Sequence, residues 1–106
     1  MKKLVMATAV ATMILGLGAM AGAHSPVCTC YDGGDGSITC EGGFSDGSSA
    51  AGVVMSVQDA SGKELLKGAM SKDNEFTFKK PAGDYQVVFD AGEGHKVVVK
   101  GKDIVR

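Results

Sequence analysis

The chain has no tryptophan, only two histidines and an odd number of cysteines, three. No basic patch or run of like charge stands out, so nucleic acid and anionic membrane are poor partners for it. Serine is plentiful, yet no His–acid–Ser spacing and no nucleophile elbow is present. No glycine loop opens a helix to hold a phosphate. These absences argue against an enzyme. No internal repeat and no linker divides the chain, and no apolar run long enough for a membrane span follows the first residues. One small domain is expected.

The N-terminus carries the one long apolar stretch. Lys2 and Lys3 precede an uncharged apolar run over 4–20, and Ala21-Gly22-Ala23 then offers small residues where a signal peptidase cuts. Residues 1–23 therefore read as a secretory signal peptide, with an uncleaved anchor as the competing reading. Ser25-Pro26-Val27 ahead of Cys28 is not a lipobox. Cleavage after Ala23 makes His24 the new N-terminus, and a cut after Ala21 competes with it. The mature chain of about 83 residues has room for one modest core. Loss of Lys2 and Lys3 brings its net charge to about −3. The expected location is periplasmic or secreted, with no direct membrane insertion of the mature chain.

Residues 24–49 form a Cys/Gly-rich N-terminal segment. "YDGGDGS" and "FSDGSSAAG" are turn chemistry, and "SITCEGGF" between them predicts a first strand over 37–44. Residues 50–106 form the body, in one domain with that segment. "GVVMSVQD" places Val53, Met55 and Val57 on one face. "KELLKGAM" is a short strand, since Gly68 argues against a helix. "EFTFKK", "DYQVVFD" and "HKVVVKG" alternate in the same way, and "KDIVR" is expected to end as a last short strand. Period-two alternation with regularly spaced turn signals predicts an all-β, antiparallel β-sandwich of about seven strands. Phe76, Phe78, Tyr85, Val87 and Phe89 are the expected core.

The stretch "VQDASGKELLKGAMSKDNEFTFKKPAGDYQVVFDAG" resembles the carboxypeptidase-regulatory-like, transthyretin-like (Ig-like) sandwich. It shares a strand ending in Asp-x-x-Gly, a following Leu, a turn before Phe-x-Phe, and Pro-x-Gly-x-Tyr-x-Val. That likeness implies a fold and little about activity. "VVFDAGEGHKVVV" resembles the Gly-x-Gly-His stretch of accessory proteins of nickel and cobalt uptake systems. This second resemblance implies periplasmic metal binding or delivery, a membrane metal transporter as partner, and His95 as the matching residue.

The residues offer several ligands. His95 shares the parity of Val97 and Val99, so it points inward at the rim, under a corner made by Gly92, Glu93 and Gly94. Imidazole is a common transition-metal ligand whose second nitrogen needs an orienting acceptor, and Asp90 and Glu93 are near in sequence. The alternative is a polar cap on a hairpin. His24 at a free N-terminus joins amine to imidazole, a pair suited to Cu(II) or Ni(II); its alternative is a disordered chain end. Cys28, Cys30 and Cys40 are either three thiolates for a soft or borderline metal such as zinc, with His24 or His95 as a fourth ligand, or the source of a structural disulfide, or a redox group. In the disulfide reading Cys40 pairs with Cys28 or Cys30, because a Cys28–Cys30 bond is strained. Asp32 and Asp35 in "DGGDG" suggest Ca²⁺ less than a plain turn. The leading expectation is a metal-binding or metal-delivery protein, for nickel or cobalt by resemblance and with copper or zinc possible. The alternative is a non-catalytic, disulfide-stapled adhesion or assembly module.

Overall fold

A computed structural model describes residues 25–106; the expected signal peptide 1–23 and His24 lie outside the described residues. Seven strands follow in chain order: β1 (Pro26–Asp32), β2 (Ser37–Phe44), β3 (Val54–Asp59), β4 (Glu64–Ala69), β5 (Glu75–Lys79), β6 (Tyr85–Asp90) and β7 (Lys96–Lys100). A 3-10 turn spans Gly101–Asp103. All pairings are antiparallel, in two sheets ordered β1-β2-β5 and β4-β3-β6-β7. The chain is thus a small, all-β, two-sheet sandwich. Among the described residues no helix is long and apolar enough to cross a membrane.

Alternation drives this arrangement. Along β6, Tyr85, Val87 and Phe89 turn inward and are buried, and along β3 Met55 and Val57 do the same. Ile38 and Cys40 of β2 and Phe78 of β5 meet them from the other sheet. Phe76, an expected core residue, is half-buried and packs on the edge of the core. Its ring lies where a side chain on Gly68 would stand, 2.6 Å from that position. Phe78 meets Tyr85 edge-on at 6.2 Å between centroids, a favoured aromatic geometry. Ser56 and Val88 face each other on the outer side of the middle strands and are also buried.

Two placements differ from the sequence reading. Strand 37–44 is not the first; β1 precedes it, with Val27, Thr29 and Tyr31 outward and Cys28 and Cys30 inward. Its β-branched and aromatic outer row favours the extended chain, and Pro26 is tolerated because it opens a strand at a sheet edge. The tail is not a strand of its own. Past the 3-10 turn it runs alongside β1, where the Val105 carbonyl accepts the Asp32 N–H at 3.0 Å, and Ile104 plugs the core.

The turns are held by short polar side chains. In the β3–β4 turn, Asp59 Oδ1 accepts from the Ser61 N–H, the Ser61 hydroxyl and the Lys63 N–H at 2.9, 2.7 and 3.0 Å. Gly62 completes that turn at φ +91°. Asn74 sits at φ 64°, the one non-glycine in left-handed backbone among the described residues. Its Oδ1 accepts from the Ala50 N–H at 2.7 Å and the Ser49 hydroxyl at 3.0 Å. Its carbonyl accepts from the Gly42 N–H at 3.0 Å. One side chain and its own backbone therefore join the β2–β3 crossover, the β4–β5 crossover and β2.

Candidate functional site

The sequence brings its three cysteines to one place. Cys28 and Cys30 are two apart on β1, so both point inward. The β1–β2 register sets Cys30 opposite Cys40 and Cys28 opposite Gly42. Backbone bonds Ser45 N–H to Ser25 O and Gly33 N–H to Ser37 O mark the hydrogen-bonded pairs of this ladder. Cys30 and Cys40 alternate with these, at a non-hydrogen-bonded pair, where facing side chains come closest. They form a disulfide, with Cα atoms 3.9 Å apart and a sequence separation of 10. Cys40 is fully buried and Cys30 is 8% exposed.

Cys28 is a free thiol, half-buried beside that bond. All three sulfur atoms lie within 4.8 Å of one another. Burial pushes the Cys28 thiol up to about 11, so at neutral pH it keeps its proton. The expected pairing of Cys40 with Cys28 or Cys30 is thus settled for Cys30. Neither histidine is placed with the trio: His95 is not part of it, and His24 lies outside the described residues.

His95 stands at the other feature singled out by sequence. The β6–β7 hairpin closes with Ala91 N–H to His95 O at 3.0 Å and His95 N–H to Gly92 O at 2.8 Å. Gly92 and Gly94 adopt φ of 119° and 78°, which a side chain would strain. The ring is half-buried and turned to the inner side, as its parity predicts. Its Nδ1 lies 3.1 Å from the Glu93 carbonyl oxygen. A carbonyl only accepts, so Nδ1 is the donor, and the neutral ring keeps its lone pair on Nε2. The orienting acceptor is thus Glu93, through its backbone. Asp90 instead accepts from the Gly92 N–H at 3.0 Å and stands 3.8 Å from Lys96 Nζ. An open cleft of about 400 Å³ beside the ring is lined by Phe44, Ser48, Ala91 and His95. Among the described residues, His95 joins no cluster of three His, Cys, Asp or Glu donors.

The carboxylates of "DGGDG" serve the β1–β2 turn. Asp32 accepts from the Gly34 N–H at 2.8 Å and pairs with Lys80 at 3.1 Å. Asp35 accepts from the Ser37 hydroxyl and N–H. The Gly34 bond, then Lys80, hold Asp32 below the usual carboxylate range; the Ser37 hydroxyl does so for Asp35.

At the end of the sandwich away from His95, a cleft of about 460 Å³ is lined by Asp59, Lys80, Asp84, Tyr85, Lys100 and Lys102 among others. Sequence reading assigned Tyr85 to the core and gave its hydroxyl no part. That oxygen is buried with no hydrogen-bond partner, alone in this among the side chains of the described residues. Burial raises its pKa above the usual phenol value. Sequence carries no signal for such an orphan, because it depends on how the ring seats against Gly101. Compared with protein-family models, curated proteins and solved structures, the chain matches none of them.

Proposed function

We propose that the chain is an exported, non-catalytic β-sandwich of the transthyretin-like kind, stapled by one disulfide, that serves in adhesion or assembly. The observation that supports this reading is the Cys30–Cys40 bond. It joins edge strand β1 to β2 at the core, and so stiffens a domain whose small size limits the hydrophobic stabilisation it can draw on. It also takes up two of the three sulfur donors that the cysteine trio would otherwise offer a metal. The exposed faces carry the remaining argument. Val27 and Tyr31 on one sheet, and Val54, Leu65 and Val98 on the other, leave apolar side chains at 38–51% exposure amid polar neighbours. Contacts of that kind suit a partner surface more than a small ligand.

The test is the protein as exported from its own cell. This reading expects one titratable thiol per chain in the denatured, unreduced protein. It also expects no heat on calorimetric titration with Ni(II), Co(II), Cu(II) or Zn(II), and sedimentation faster than a monomer in the presence of the exporting cell's envelope fraction. Tight binding of nickel or cobalt that weakens in His95→Ala would overturn it and restore metal delivery to a membrane transporter.

A further inference from the structure

We propose that Cys28, Cys30 and Cys40 form a redox-gated site for a soft, thiophilic cation of the zinc, cadmium or monovalent copper class. The gate is shut while the Cys30–Cys40 bond stands and opens when that bond is reduced. The inference does not depend on the adhesion or assembly reading, which concerns the oxidised chain.

The geometry is close to what such a cation needs. A zinc ion holds thiolate sulfur at about 2.3 Å, which sets three sulfurs in a plane about 4 Å apart. Here the three sulfurs already lie within 4.8 Å. Cys30 and Cys40 are bonded to each other, and cutting that bond frees both sulfurs to take the required spacing. They hang from facing positions on two hydrogen-bonded strands, so the backbone fixes their approach.

The surroundings select the class of ion. Thr29 and Glu41 alternate to the outer face and are exposed, and among the described residues no carboxylate or imidazole belongs to the cluster. Hard cations want oxygen ligands, whereas thiolate sulfur favours soft ones. Gly42, which faces Cys28, carries no side chain; the Phe89 ring and the Met70 methyl lie 2.6 and 3.0 Å from where one would stand, so that side of the cluster is apolar. Two exposures matter for access: Cys40 is sealed in the core, whereas Cys28 is half-exposed and gives the ion a way in.

The chemistry balances. A dithiol gives two electrons and two protons to the Cys30–Cys40 bond, which becomes two thiols, and the dithiol closes to its own cyclic disulfide. A divalent cation then binds all three sulfurs and releases three protons, leaving a centre of net charge −1. Reoxidation by a disulfide reverses both steps and expels the ion.

The experiment titrates Cd(II) into the full mature chain, oxidised and after anaerobic reduction with a phosphine. The ultraviolet thiolate-to-cadmium band counts the bonds formed. The reduced chain is expected to show three Cd–S bonds and the oxidised chain none. In Cys28→Ala the band should fall by a third and the affinity by more than about tenfold, since loss of even an outer partner costs that much. Equal binding by both redox forms, or unchanged affinity in Cys28→Ala, overturns the proposal. Circular dichroism covers the case in which reduction unfolds the chain. Refolding on addition of Cd(II) supports the site, because metal binding then supplies folding energy; a chain that stays unfolded with Cd(II) overturns it.

Discussion

Reduction of the Cys30–Cys40 bond should cost the domain about 2.7 kcal/mol. The figure follows from the 10-residue separation of the two cysteines and the loop entropy that a crosslink removes from the unfolded chain. Comparing oxidised and reduced forms of one sequence adds no cavity, because no atom heavier than hydrogen changes. A Cys28→Ala background prevents the neighbouring thiol from exchanging with the bond and enters both arms equally. Urea titration followed by circular dichroism gives the stability difference. At about 4–8 °C per kcal/mol for a domain of this size, the reduced form should melt about 11–22 °C lower. The urea slope should also rise, since the uncrosslinked chain unfolds to expose more surface. A loss below about 1 kcal/mol would refute the reasoning, for it would mean that β1 and β2 stay paired in the unfolded ensemble without the crosslink.

Three further outcomes are expected. Gly101→Ala puts a Cβ 2.6, 2.7 and 2.8 Å from three atoms of the buried Tyr85 ring and should destabilise by about 1–3 kcal/mol in urea, whereas Gly43→Ala meets nothing within 4 Å and should be neutral or slightly stabilising. Iodoacetamide should label native Cys28 about tenfold faster for each unit of pH from 7 to 10, because the reactive thiolate is scarce below a pKa of about 11; a rate that levels off near pH 8 would contradict the burial of that thiol. Asp59 is held below the ordinary carboxylate range by the Ser61 hydroxyl first and the Lys63 N–H next. A depressed carboxylate stabilises the fold fully above its unfolded pKa of about 4 and loses that contribution as pH falls through its lower folded value, so Asp59→Asn should flatten the acid limb of a urea-midpoint profile below about pH 4.

Much of the fold was legible because the large apolar residues of three strands recur at every second position. Met55 and Val57, Phe76 and Phe78, and Tyr85, Val87 and Phe89 each mark one face at period two, and the structure keeps them there. β1 was hidden by composition. Its inward positions are cysteines, which read as chemistry before they read as core, and glycine-rich turns follow it. The tail misled for another reason: "KDIVR" has strand-forming residues, but a 3-10 turn at Gly101–Asp103 limits it to a single backbone bond on β1. The disulfide partner is not written in spacing. It depends on the register that the β1–β2 turn imposes, and a slip of one residue would have turned Cys40 outward. His95 facing inward was legible from parity. Its carbonyl acceptor was not, because that bond exists only once Gly92 and Gly94 take left-handed backbone.

Asn74 carries a consequence for how the two sheets hold together. From within the β4–β5 crossover this one residue fastens the β2–β3 crossover through its side-chain amide and the end of β2 through its backbone carbonyl. A swing of that side chain would loosen Ser49 and Ala50 together, and a change in its backbone would release Gly42 with them. Glycine at this position would preserve the left-handed bend and still cut the lashing to 49–50; alanine would lose both. Loss of Asn74 should therefore loosen these contacts together and not one by one.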